Sequence, residues 1–287
     1  MRSFGHFAVV DWSGAAGPRQ KGIAIAICSP GEAAPTLVRP GHIWSREDVL
    51  DWVLHHMPDD TLIGFDLSPG LPFADRGAYF PEWAESPTDA RSLWALVERV
   101  SANEPHLAAN SFVDHPEASR YFRRHGGRTG DRFGSGAGRL RLVEHRQREC
   151  QLSPYSCLNL VGAAQVGKSS LTAMRMLHRL GDRIPVWPFD PLPRTGSVLV
   201  EIYTSLAART AGIRKGLSKM RDGRSLDAAL EALGSKAHRP MQHYSDHSTD
   251  AILTAAWLRT VAHQESLWTP AGLDIVAATE GWTFGVI

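Results

Sequence analysis

Asp11, Asp66, Glu201 and Asp250 each close or interrupt a run that reads as buried. Phe7-Ala8-Val9-Val10 precedes the first, Leu62-Ile63-Gly64-Phe65 the second and Val198-Leu199-Val200 the third, while Ala251-Ile252-Leu253 follows the fourth. An unsatisfied polar group in such a place costs roughly 2 to 7 kcal/mol, and a bare charge more, so each carboxylate needs a partner or a proton. Four of them converging would need cations. Asp and Glu without His or Cys offer hard oxygens, which suit Mg²⁺ or Mn²⁺ better than Zn²⁺. Two such ions, about 3.5 to 4 Å apart, activate a water and stabilise the leaving oxygen of a phosphodiester. The set therefore predicts a two-ion hydrolytic site, provided the fold gathers it. Taken singly, an acid at a strand end or helix start is more often a cap or ion-pair partner. Asp246 and Asp250 also suit the backbone dipole of a helix N-terminus.

The elements that must position these acids are legible in the hydrophobic pattern. Residues 7–10, 22–28 and 36–43 read as three strands, with a turn at 13–18 between the first two. Ser45 and Asp48 form a capping-box pattern ahead of a helix whose apolar face is Val49, Leu50, Val53, Leu54 and Met57, ended by Pro58. Residues 62–67 then read as a buried strand. Helical stretches are expected at 90–100 and 169–180, a strand at 197–203, helical segments at 206–220 and 225–233, and a last long helix at 248–263. The tail 280–285 reads as a closing edge strand. Strands mixed with helices in this order predict an α/β domain over 1–287, with 70–193 inserted after the fourth strand.

Val9-Val10-Asp11-Trp12-Ser13-Gly14 with Lys21-Gly22, then Ile63-Gly64-Phe65-Asp66, Val200-Glu201-Ile202-Tyr203 and Asp246-His247-Ser248-Thr249-Asp250-Ala251-Ile252 together resemble domain-of-unknown-function family 429, predicted nucleases of ribonuclease H-like fold. Gly281-Trp282 is also similar, so the likeness spans most of the chain through short motifs. The chain departs from the family pattern at Tyr203-Thr204, where proline usually follows the tyrosine. The resemblance implies a ribonuclease H-like mixed sheet flanked by helices and a metal-dependent nuclease. It assigns metal binding to Asp11, Asp66 and Asp250, with Glu201 as a further ligand and Asp246 as the alternative acid on the helix. In that scheme Asp11 bridges two ions and Glu201 orients water. His247 lies near these positions, and a local hydrogen bond at the helix start is its expected role.

Two further features bear on phosphate chemistry. Residues 162–169, Gly-Ala-Ala-Gln-Val-Gly-Lys-Ser, formally match a phosphate-binding loop, in which backbone N–H groups cradle phosphates and the lysine reaches them. Nucleotide-binding folds usually begin with such a loop, whereas more than half of this chain precedes it. A glycine turn opening a helix, or a contact from Lys168 to a substrate backbone, is the preferred reading. Between 119 and 150, nine arginines face three acids, a local charge of +6 in a chain whose net charge is +1. Arg123, Arg124, Arg128 and Arg132, interleaved with Tyr121, Phe122 and Phe133, suit phosphate contacts and base stacking. A solvated loop would carry the same composition. Lys21 joins these as an expected phosphate contact.

At 287 residues and 43% hydrophobic, the chain is long enough for a substantial core. Its near-neutral charge excludes a global basic field, so nucleic-acid affinity must be local. Cys28, Cys150 and Cys157 have no zinc-ligand spacing and read as reduced structural thiols. No apolar run approaches the ~18 residues of a membrane span. With the chain passing from Met1-Arg2-Ser3 straight into a strand-like run, a cytoplasmic protein without membrane partner is expected. The main expectation is a metal-dependent nuclease acting on nucleic acid. Its rivals are a phosphotransferase that binds nucleotide through the 162–169 loop and a non-catalytic module that binds nucleic acid or a partner.

Overall fold

The computed structural model describes residues 2–161, 166–214 and 220–287. Six strands form one mixed sheet: β1 (His6–Asp11), β2 (Ala24–Cys28), β3 (Thr36–Leu37), β4 (Thr61–Asp66), β5 (Val186–Trp187) and β6 (Val198–Glu201), in the order β3-β2-β1-β4-β6-β5. The first three make an antiparallel meander, whereas β1, β4, β6 and β5 run parallel. The C-terminal ends of β1, β4 and β6 therefore share one edge of the sheet, and each ends in an acid.

Both faces of the central strands are buried, as parallel strands require. Ala8, Val10, Ile63, Phe65 and Leu199 face one core; Phe7, Val9, Leu62, Val198 and Val200 face the other. Helices α1 (Arg46–His55), α2 (Ala90–Val100) and α5 (Val166–Leu180) contribute to the first core. Helices α6 (Thr204–Thr210), α7 (Gly223–Ala232) and α8 (Asp246–Val261) contribute to the second. Short helices α3 (Asn110–Asp114) and α4 (Leu142–Glu149) lie within the long stretch between β4 and β6, and α9 (Leu273–Val276) lies near the C-terminus. The expected capping box is present: the Ser45 hydroxyl accepts from Asp48 N, and the Asp48 carboxylate accepts from Ser45 N. Such a cap contributes about 1 kcal/mol.

The departures from expectation have local causes. The third strand is two residues long rather than eight, because Arg39 adopts a left-handed backbone (φ 49°) and Pro40 follows with no donor for the ladder. Helix α6 ends at Thr210, ahead of Gly212 at φ 76°, and residues 215–219 of the expected helix lie outside the described residues. The C-terminal tail makes a single parallel bridge, Thr283 to Glu201, instead of a strand. Val186–Trp187 is an additional strand at the sheet edge, where the absent N–H of Pro188 breaks no ladder. The three cysteines are free. Among the described residues no helix is long and apolar enough to cross a membrane.

Candidate active site

Asp11 and Asp66 are register partners at the ends of adjacent parallel strands. Alternation along β1 and β4 turns both side chains toward α8, because Asp11 follows Val9, and Asp66 follows Leu62, at even intervals. The first turns of α8 bring in Asp246, His247 and Asp250. Ser245 caps this helix by accepting from Ser248 N, which fixes where the turn begins. His247 Nδ1 lies 3.1 Å from Asp11 Oδ2. Asp246 also pairs with Arg221 at 3.3 Å, across an exposed contact.

The charges of these acids act on one another. Burial raises Asp66 well above its usual value, and the negative charges of Asp11 and then Asp250 push it further in the same direction. Burial also raises Asp11, opposed by its hydrogen bond and attraction to His247. His247 is raised in turn, chiefly by its hydrogen bond to Asp11. Like charges crowded in a low-dielectric pocket are a stored cost that a cation or proton relieves. The donor chemistry fits a hard divalent ion. Among the described residues, however, no group of three or more His, Cys, Asp or Glu side chains stands gathered to hold a metal ion as it is.

Glu201 has a different environment from the one its position suggests. It is in register with Phe65 and two residues beyond Leu199, so its side chain is on the face opposite to α8. There Arg141 grips it through two hydrogen bonds, Nη1 to Oε2 at 2.8 Å and Nη2 to Oε1 at 2.6 Å, and Thr283 Oγ1 donates to Oε1 at 2.8 Å. Arg141 also donates to Glu144 Oε1 at 3.0 Å, Ser68 Oγ at 3.1 Å and the Glu280 carbonyl at 3.1 Å. Arg141, Glu144, Glu201 and Glu280 are all at most 3% exposed. The carboxylate of Glu280 accepts from Phe73 N, Ala74 N and Leu142 N, at 2.6 to 2.8 Å. With both its oxygens engaged, Glu201 closes the ends of β4, β6 and the C-terminal tail together. The arrangement departs from the metal-ligand and water-orienting roles expected of it.

The arginine segment departs from its expected role in a similar way. Arg124 pairs with Asp114 at 2.8 Å, Arg128 lies 3.9 Å from the same carboxylate, and Arg132 contacts Glu82 and Asp131. Arg120 pairs with Asp131 and Glu117, and Arg139 with Asp75. These arginines staple the long stretch to itself. Arg123 is exposed, and its backbone bridges Thr129 and Asn159.

Residues 162–165 of the glycine loop lie outside the described residues, and Val166 through Ser169 form the first turn of α5. The hydroxyls of Ser169 and Ser170 donate to the Val166 carbonyl at 2.8 Å. Lys168 Nζ contacts His125 Nε2, and burial lowers its pKa. This end of α5 presses on the turn after β1. A Cβ on Gly14 would stand 2.3 Å from Ser169 N, so only glycine fits there. Lys168 is thus near the first strand's end, on the face opposite to α8. Lys21 is on the α8 side of the site: a Cβ on neighbouring Gly22 would meet the His247 ring at 3.3 Å.

One site residue was placed by the sequence in a different role and another escaped it. His247, expected to make a local hydrogen bond at the helix start, contacts the first-strand acid. Thr204 Oγ1 donates to Asp66 Oδ2 at 3.4 Å, a contact that the proline expected at this position would lack. The departure at Tyr203-Thr204 was the available signal. Comparison of the chain with protein-family models, curated proteins and solved structures yields no match. The likeness to family 429 therefore rests on the motifs themselves.

Proposed function

We propose that this chain is a divalent-metal-dependent nuclease built on a ribonuclease H-like fold. The observation that carries the reading is the register pair Asp11 and Asp66 at the ends of neighbouring parallel strands, with Asp250 close enough to raise Asp66 by its charge. The sheet order, an antiparallel meander followed by parallel strands, agrees with the proposed fold. Asp11, Asp66 and Asp250 would hold Mg²⁺ or Mn²⁺, with Asp246 as an outer acid. Bound there, two such ions would supply an activated water and charge stabilisation at the leaving oxygen.

The chain's own residues have separable tasks. His247 orients Asp11 through its Nδ1, and Thr204 steadies Asp66. The Arg141–Glu201 pair fixes the strand ends that carry the acids, so Glu201 acts on geometry rather than on substrate.

The test is hydrolysis of labelled single-stranded and duplex DNA and RNA with Mg²⁺, with Mn²⁺ and with EDTA, wild type beside Asp11→Asn and Asp66→Asn. Cleavage that requires the ion and vanishes in both variants is expected. Wild-type protein that neither cleaves nor gives an Asp66-dependent heat on titration with either ion refutes the proposal and leaves the non-catalytic binding module.

A further inference from the structure

A cleft of about 830 Å³ opens at the β3 edge of the sheet, between the start of β2, the 35–44 segment, the 238–245 segment and α8. The brevity of β3 leaves this edge open. Lys21, Arg39, Arg239 and His243 line the cleft, and none of its lining residues is Asp or Glu. Lys21, Arg39 and Arg239 are exposed and form no ion pair among the described residues. Arg39 instead lies over the Trp44 ring, 5.3 Å from its centroid. Positive charge without compensation, in a concave surface, attracts and retains a polyanion.

The cleft adjoins the helix start that carries the carboxylate site. Ser245 and Ser248, which line it, belong to the same helix start that presents His247 and Asp250. Lys21 precedes Gly22, which abuts the His247 ring. The lining also carries apolar residues, Leu37, Val38, Pro40, Pro240 and Met241, beside the cationic groups. A duplex encloses its base faces and offers only phosphates to such a lining. A single strand offers both, phosphates to the cations and base faces to the apolar residues.

We propose that this cleft is the entry track for a single nucleic-acid strand, with Arg39, Arg239 and Lys21 gripping phosphates on the approach to Asp11 and Asp66. The inference rests on the nuclease reading above, but its test is separate. Binding of fluorescent single-stranded oligonucleotides, DNA and RNA, is followed by anisotropy in EDTA, where no hydrolysis takes place. The full chain is compared with the double variant Arg39→Glu/Arg239→Glu. Arg148→Glu, an exposed arginine of α4 outside the cleft lining, serves as control, and thermal melting checks that all three are folded.

The double variant is expected to weaken binding more than about tenfold and to reduce the log–log salt slope by about 2, one for each phosphate contact removed. Arg148→Glu is expected to bind as wild type does, and a blunt duplex of equal length more weakly than the strand. Unchanged affinity and salt slope in the folded double variant would overturn the proposal, as would a duplex that binds as tightly as the strand. Cleft-dependent binding by a protein that neither cleaves with Mg²⁺ or Mn²⁺ nor gives an Asp66-dependent heat would support the track and refute the hydrolytic reading. Cleavage that survives the charge reversal unaltered would do the reverse.

Discussion

Asp66 and Glu201 end neighbouring parallel strands, yet they live in opposite electrostatic surroundings. Glu201 meets a buried guanidinium in a bidentate grip, with a threonine hydroxyl completing its shell. Asp66 meets other carboxylates and one hydroxyl at 3.4 Å. The first arrangement is complete and binds the strand ends to the tail. The second sets like charges against one another, a cost that a cation or proton relieves. Burial alone does not tell these two acids apart; the sign of the charge facing each one does.

The largest effect should come from opening the completed pair. Arg141→Met leaves Glu201 buried and unpaired, at a cost of about 3 to 5 kcal/mol. Chemical denaturation should record that loss, and Arg141→Met/Glu201→Leu should regain part of it. A single variant as stable as wild type would erase the contrast between the two acids.

Asp66→Asn should abolish hydrolysis while raising the stability of the metal-free protein, because it removes a like-charge conflict. Melting curves with and without Mg²⁺ should show an ion-dependent gain in wild type that the variant lacks. A loss of stability in Asp66→Asn would instead place Asp66 with Glu201 as a structural acid.

The same conflict has a pH signature. Asp66 is raised when folded, so above its usual value of 3.8 the folded protein holds a proton that the unfolded chain has lost. Stability from this group falls as pH rises through the folded value. Asp11 is raised too and has the same sign. His247 contributes stability that is complete below 6.5 and is lost as pH rises through its own raised value. The wild-type minus Asp66→Asn difference in unfolding free energy should therefore grow more unfavourable with rising pH in metal-free buffer; a flat difference would contradict this.

Smaller effects should follow at the neighbours of the two aspartates. His247→Ala should lower the turnover rate and leave oligonucleotide affinity in EDTA nearly unchanged, because it orients Asp11 rather than the strand. Thr204→Val, which removes one long hydrogen bond, should change stability by about 1 kcal/mol or less. A loss well beyond 1 kcal/mol in Thr204→Val would mean that the hydroxyl, rather than the neighbouring negative charge, governs Asp66.

The basic residues repeat the lesson drawn from the acids. The arginine-rich 119–150 stretch has the greater charge density in the sequence, but its side chains are largely engaged with Asp75, Glu82, Asp114 and Asp131. Lys21, Arg39 and Arg239, dispersed in sequence and without an ion pair among the described residues, meet in one cleft where the sheet edge faces α8. Local charge counts omit acids supplied by distant segments, so the sequence left the arginine-rich stretch open between a phosphate surface and a solvated loop.

Short-range physics wrote much of the fold into the chain. The apolar runs ending in Asp11, Asp66 and Glu201 determined that three strands would finish in acids, and Ser45 with Asp48 determined a helix start. Those are contacts within a few residues, so sequence spacing contains them. Register between strands depends on pairing across 55 residues in one case and more than a hundred in another, as Asp11 with Asp66 and Phe65 with Glu201 illustrate. A shift of one residue reverses the face of every side chain. The tertiary structure alone decided that Asp11 and Asp66 would turn toward α8, and that Glu201 would turn away to Arg141.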